Sequence, residues 1–246
     1  MIKLFDSHAH LEELPDLDES IKRAMEKGVI GIIAVGSDPE SNERTLEISK
    51  RYKGYVYPAI GLHPWDLNAN VAEKGLEYLK KRVKECVAIG EVGLDYRIKT
   101  DKNLQVSVFS EVLEIARENQ VPVIIHARDA WRDAFRLTVE AGVEVAVFHW
   151  YSGPLRVLME ILRAGYYISA TPAATYQEKH RKVLKNAPLD RILLESDCPV
   201  IYRGLESRPA DVFLAAKGVA EVKGLSLEEV AEKTLCNVTK VFGIEL

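Results

Sequence analysis

Four of the chain's six histidines and two of its carboxylates fall where runs of apolar, β-branched residues end. His8 and His10 stand two apart in Phe5-Asp6-Ser7-His8-Ala9-His10, and Glu91 lies in Gly90-Glu91-Val92-Gly93. His126 closes Pro122-Val123-Ile124-Ile125-His126, His149 closes the run 143–149, and Asp197 follows Leu193-Leu194-Glu195-Ser196. Imidazole nitrogens and carboxylate oxygens are ligands for divalent metals, and side chains two apart on a strand share a face. His8 and His10 therefore make a preformed ligand pair. Any one of these residues alone could be structural. Six of them at inner strand ends, where an unpartnered charge is expensive to bury, point to a shared metal site.

Only certain architectures gather such distant strand ends. Candidate strands are 2–7, 30–35, 56–62, 88–93, 122–126, 143–149, 166–170 and 191–195, bounded by Gly, Pro or charged residues as buried parallel strands are. Helical spacing fills the gaps at 17–27, 39–52, 71–84, 103–119, 130–140, 154–163 and 177–186. After the last strand, 197–207 reads as a long loop, followed by helices over about 209–222 and from the Ser226 cap, with Glu228 and Glu229 in the first turn. Eight strands alternating with helices predict a (β/α)8 TIM barrel of the metallo-dependent hydrolase type, with a doubly wound open sheet as the competitor. In a barrel, the carboxyl ends of all strands meet at one rim, where site residues sit. No linker or composition break divides 1–246, which reads as a single domain.

Composition narrows the partners. A length of 246 and 47% apolar residues supply a sizeable core, while a net charge of −4 argues against extended wrapping of duplex nucleic acid. Cys86, Cys198 and Cys236 are odd in number and widely spaced, so three reduced, mostly buried thiols are expected. No charged leader precedes Asp6 and no apolar run matches a membrane span, so a cytoplasmic protein with no membrane partner is expected.

These segments, with Gly61-Leu62-His63-Pro64, Gly90-Glu91-Val92-Gly93-Leu94-Asp95-Tyr96, His126-Ala127-Arg128-Asp129-Ala130, His149-Trp150-Tyr151-Ser152-Gly153 and Glu195-Ser196-Asp197-Cys198-Pro199, closely resemble the TatD-type metal-dependent deoxyribonucleases. The resemblance runs in order along the whole chain, to a closing helix at Thr234–Gly243. It implies that His8, His10 and Asp197 hold one divalent ion, that His126 and His149 hold a second, and that Glu91 bridges them. Mixed nitrogen and oxygen ligands suit Zn²⁺ or Mn²⁺ better than Mg²⁺, and the identity stays open. The implied activity is hydrolysis of DNA phosphodiesters, at ends or in single strands, with Asp197 as ligand and proton acceptor. The segment after His149 and the loop after Asp197 depart from the family pattern, which leaves substrate identity less constrained than hydrolysis. The alternatives are a small-molecule amide, lactone or ester as substrate on the same barrel, and a metal-binding protein without catalysis.

Further residues carry two readings each. His63 could donate to a scissile phosphate or leaving oxygen, or brace its loop; Trp65 could stack on a base or anchor the loop. Arg128 could grip a phosphate, or pair with Asp129 or Asp133. Asp95 and Tyr96 could support the ligands from behind, with Tyr96 reaching substrate. Arg97, Lys99 and Lys102 form a small basic loop that is either a DNA contact or a solvated face. His180, within Glu178-Lys179-His180-Arg181-Lys182, reads as a surface residue.

Overall fold

Strong local signals set the element starts. In this computed structural model, which describes residues 2–246 (Asp66 by its backbone alone), the helix α2 (Pro39–Arg51) begins on Asp38, whose carboxylate accepts from the Glu40 and Ser41 amides. Pro39 occupies the first helical position, where its missing N–H is not needed. The last helix, α9 (Leu227–Phe242), opens with a reciprocal Ser226–Glu229 box, as the cap residues predict.

The eight strands are β1 (Leu4–Ala9), β2 (Val29–Val35), β3 (Val56–Leu62), β4 (Ala88–Asp95), β5 (Val123–Arg128), β6 (Ala146–Phe148), β7 (Tyr167–Ala170) and β8 (Ile192–Leu194). They lie in sequence order in one sheet, every neighbouring pair parallel. The crossovers carry α1 (Leu17–Glu26), α2, α3 (Ala69–Arg82), α4 (Lys102–Asn119), α5 (Trp131–Glu140), α6 (Leu155–Arg163) and α7 (Glu178–Asn186). The open-sheet alternative is excluded by the order and by the seam. Asp197 N donates to His8 O at 3.0 Å and His10 N to Cys198 O at 2.8 Å, stitching the end of β1 to the segment after β8. Below them, buried Asp6 accepts from the Ser196 amide at 2.8 Å and the Ser196 hydroxyl at 2.6 Å. The result is a nearly closed barrel.

Two apolar clusters divide the molecule. One takes Phe5, Ile33, Val35, Ala59, Ala88, Ile124, Val147, Tyr167 and Leu193 from all eight strands, and Val238, Val241 and Phe242 of α9 join it. That cluster fills the barrel interior, with α9 as its floor. The other takes the alternate strand residues, such as Leu4, Ile32, Ile60, Ile125 and Ile168, and packs them against the helices.

Several boundaries differ from the sequence reading, β1, β4 and β5 each ending two residues later. Arg191 falls in a tight turn (Leu189–Arg191) and the Val143 amide closes the end of α5 on Thr138 O, so β8 and β6 start later. The expected loop 197–207 holds a hairpin, β9 (Ile201–Tyr202) and β10 (Leu205–Glu206), turned by Arg203 and Gly204 at φ 52° and 84°. A 3₁₀ turn (Pro209–Asp211) precedes α8 (Val212–Lys223). All three cysteines are free; Cys198 is buried, Cys86 half-buried and Cys236 exposed. Among the described residues no helix is long and apolar enough to cross a membrane.

Candidate metal centre

The interior row of each strand continues upward into the site. Ile124 leads to His126, Val147 to His149, Ala59 through Gly61 to His63, and Leu193 through Glu195 to Asp197, each step being two residues. Strands β1 and β4 break this rule through register shifts, between Asp6 and Ala9 in one and between Ile89 and Val92 in the other. Those shifts turn His8, His10 and Glu91 inward although their parity differs from that of Phe5 and Ala88. Backbone crowding at the shift demands glycine. A Cβ on Gly61 would lie 2.3 Å from Glu91 O, and Gly93, at φ 146°, would place one 2.0 Å from His126 O. Buried Asn42 of α2 fixes Gly61 from behind, donating to its carbonyl at 2.8 Å and accepting from its amide at 2.9 Å.

Five of the six imidazoles surround the buried carboxylate of Glu91. Its Oε2 faces His8 Nε2 and His10 Nε2, each at 3.4 Å. Its Oε1 faces His126 Nδ1 at 2.8 Å, His149 Nε2 at 2.9 Å and His63 Nε2 at 3.4 Å. His8 Nε2 also lies 3.2 Å from His10 Nε2 and 3.6 Å from Asp197 Oδ1. Burial alone would raise the Glu91 pKa; the imidazoles of His149, His63, His10 and His126 outweigh it and hold the carboxyl well below its usual range. Asp197 is pushed the other way by burial, against the pull of His149 and His8.

The spacing suits cations between these groups. Donors arranged tetrahedrally about 2.1 Å from an ion are about 3.4 Å apart, and the His8–His10–Glu91–Asp197 separations scatter around that value. Two imidazole nitrogens 3.2 Å apart, both facing one carboxylate oxygen, bring three ligand-type atoms around one point. His8 Nδ1 is buried without a partner among the described residues. The residues present therefore fit a metal site. The groups able to converge on one point include His8, His10 and Glu91 together, and His63, Glu91 and His126 together. Asp197 touches this arrangement through His8.

Carboxylates hold the outward nitrogens of two candidate ligands. His126 Nε2 meets Asp95 Oδ2 at 3.3 Å, and His149 Nδ1 meets Glu195 Oε1 at 3.3 Å. Glu195 also accepts from the Trp150 amide at 3.0 Å. Asp95 further accepts from Trp65 Nε1 at 2.9 Å, the Arg97 amide at 2.9 Å and Arg128 in bidentate fashion, at 3.1 and 2.8 Å. Burial opposes its ionisation, but these donors hold its pKa well below normal. Neither Glu195 nor buried Asp6 stands out in sequence as a supporting residue, although both lie within two residues of a candidate ligand.

His63 is set apart by its tautomer. Its Nδ1 accepts from the Trp65 amide at 3.3 Å, so the proton belongs on Nε2, aimed at Glu91. Burial pulls its pKa down to about 4, leaving it neutral. Trp65 is 54% exposed, with the Arg128 guanidinium 5.8 Å from its ring. The partner of Arg128 is thus Asp95, in place of Asp129 or Asp133. The Tyr96 hydroxyl donates to Asp133 at 2.8 Å and its ring lies under Lys102, while Arg97 faces Asp129.

One expectation is overturned. His180 is fully buried: Nδ1 donates to Tyr151 O at 3.0 Å and Nε2 accepts from the Thr171 amide at 3.3 Å. Its charged sequence neighbours face water, while His180, Val183 and Leu184 share the inner face of α7 at i, i+3, i+4 spacing.

Comparison with known proteins bears on this geometry. The family model described as TatD related DNase matches residues 5–243. An uncharacterized metal-dependent hydrolase of Bacillus subtilis strain 168, YabD, is 36% identical, the match covering 98% of this chain and 99% of that protein. Deoxyribonuclease TATDN3 of Homo sapiens is 32% identical, over 98% of this chain and 95% of its own. The crystal structure of YJJV, a TatD homolog from Escherichia coli k12, superposes with a TM-score of 0.91 at 27% identity, covering 98% of each chain.

Proposed function

The chain belongs to the TatD-related family of metal-dependent hydrolases, and from that premise we propose that it is a deoxyribonuclease acting on phosphodiesters at DNA ends or in single strands. The observation that carries this reading is the convergence of five imidazoles on Glu91. In it, His8, His10 and Asp197 hold one divalent ion, His126 and His149 a second, and Glu91 belongs to both. Two such ions, when bound, acidify a water and stabilise the attacking and leaving oxygens of an in-line displacement.

The chain's own groups do the rest. Asp197 accepts the proton of the attacking water. His63, held as the Nε2–H tautomer by the Trp65 amide, donates to an oxygen of the scissile phosphate. Arg128 keeps one guanidinium edge free of Asp95 and turns it to a neighbouring phosphate. Trp65, pinned at Nε1, offers its ring to a base. Tyr96 acts indirectly: its amide bonds to Arg128 O at 2.9 Å and so fixes the strand end that carries Arg128.

The test uses metal-stripped protein with Mg²⁺, Mn²⁺ or Zn²⁺ restored singly. It is given end-labelled single- and double-stranded DNA, and in parallel a panel of lactones, amides and carboxylic esters. Metal-dependent shortening of the DNA is expected. Turnover of the small molecules, with DNA intact under every ion, would overturn the nuclease reading in favour of a small-molecule hydrolase.

A further inference from the structure

The 3₁₀ turn that follows β1 (Leu11–Glu13) folds the Glu12 side chain back under His10. The Glu12 side chain is only 1% exposed, and among the described residues neither of its carboxylate oxygens has a hydrogen-bond partner. His10 Nδ1 is likewise buried and unpartnered, and it lies 3.8 Å from Glu12 Oε1. Two buried polar groups facing each other, both unsatisfied, are an uncommon arrangement to leave standing.

The same relation occurs twice more around Glu91. Asp95 meets the nitrogen of His126 that points away from Glu91, and Glu195 does the same for His149, each at 3.3 Å. Glu12 stands to His10 as these carboxylates stand to their histidines, from a different element and at a longer distance. We infer that Glu12 is the positioning residue of the His8–His10 ion site, accepting a hydrogen bond from His10 Nδ1–H and thereby presenting Nε2 to the cation. A carboxylate on the far nitrogen fixes the ring's tautomer and orientation and makes the near nitrogen a better ligand. A cation on Nε2 polarises Nδ1–H and draws Glu12 in. The gap of 3.8 Å closes to hydrogen-bond length with a movement of about 1 Å, within reach of rotation about the outer bonds of a Glu side chain.

This inference rests on the ion-site reading, so the experiment separates the two. Mn²⁺ binding to the full chain is measured by competition with a chelating dye for the unmutated protein, Glu12→Ala and Glu12→Gln, with thermal unfolding of each metal-free protein alongside. The expected result is about a 10- to 100-fold loss of affinity for one Mn²⁺ in Glu12→Ala. A smaller loss is expected in Glu12→Gln, whose amide oxygen still accepts, with the second Mn²⁺ held as before. Metal-free unfolding temperatures are expected to stay level or rise, because an unpartnered buried carboxylate has been removed. A long-range nitrogen–proton spectrum of the Mn²⁺-free, Zn²⁺-loaded protein should show His10 protonated at Nδ1, the signal shifting in Glu12→Ala. Affinities within twofold of the unmutated chain in both variants overturn the role of Glu12 alone. So does a parallel loss of both ions together with metal-free stability. Failure of the unmutated chain to bind Mn²⁺ overturns the ion-site reading and this inference with it.

Discussion

Asp95 gathers donors from four residues, Trp65, Arg97, Arg128 and His126, onto one buried carboxylate. Its backbone amide is held independently by Gln105 Oε1 at 2.8 Å, so Asp95→Asn keeps the strand end in place while removing the charge. Ion binding at His126 is expected to weaken by about 10- to 100-fold in that variant, read by metal titration, with thermal stability changed far less. His180 has the opposite character, a neutral histidine fixed by two backbone partners. Burial lowers its folded pKa to about 4, while the unfolded value is about 6.5. Between those values the unfolded chain binds more protons, so the stability contribution is complete above about pH 6.5 and fades as pH falls toward 4. The full difference is about 3 kcal/mol. His180→Asn should flatten the fall in unfolding free energy between pH 6.5 and 4, as measured by denaturant titration at stepped pH.

Strand register, more than any single ligand, decides whether the site exists. Gly61 carries this most directly, because a methyl group there meets Glu91 backbone atoms at 2.3 and 2.5 Å. Gly61→Ala should lower stability by about 2–3 kcal/mol, as overpacking does, and weaken metal binding by displacing Glu91. Thermal unfolding with and without Mn²⁺ reads both effects. The sequence shows the alternation of strands and helices, and the two-residue steps from Ile124 to His126 and from Val147 to His149 follow the ordinary strand period. It does not show the shifts in β1 and β4, because an irregular register leaves no mark in apolar patterning. It also hides partners such as Glu195, which reaches His149 beyond β6, and Ser196, which reaches Asp6 across the barrel seam. The burial of His180 is hidden for a different reason: charged neighbours mask the inner face of a short helix.

The molecule as a whole carries a net charge of −4, so any affinity for DNA must come from local contacts at the rim. Arg128 adjoins the Glu91 cluster, two residues beyond His126 and paired with the Asp95 carboxylate that meets His126. Counterion release scales with the phosphates neutralised, at about −0.7 per contact on single strands. The logarithmic dependence of DNA affinity on NaCl is therefore expected to be shallow, no steeper than about −2. A slope near −5 would mean a basic surface beyond this rim.

The central claim is that one carboxylate serves two ions. It is tested most directly by measuring bound Mn²⁺ per chain and the rate of single-stranded DNA hydrolysis on the same preparations of unmutated protein and Glu91→Ala. A bridging role for Glu91 predicts two ions falling to one or none, with hydrolysis reduced more than about 100-fold, beyond the effect of losing a supporting residue. Two ions still bound and an unchanged rate in Glu91→Ala would contradict it.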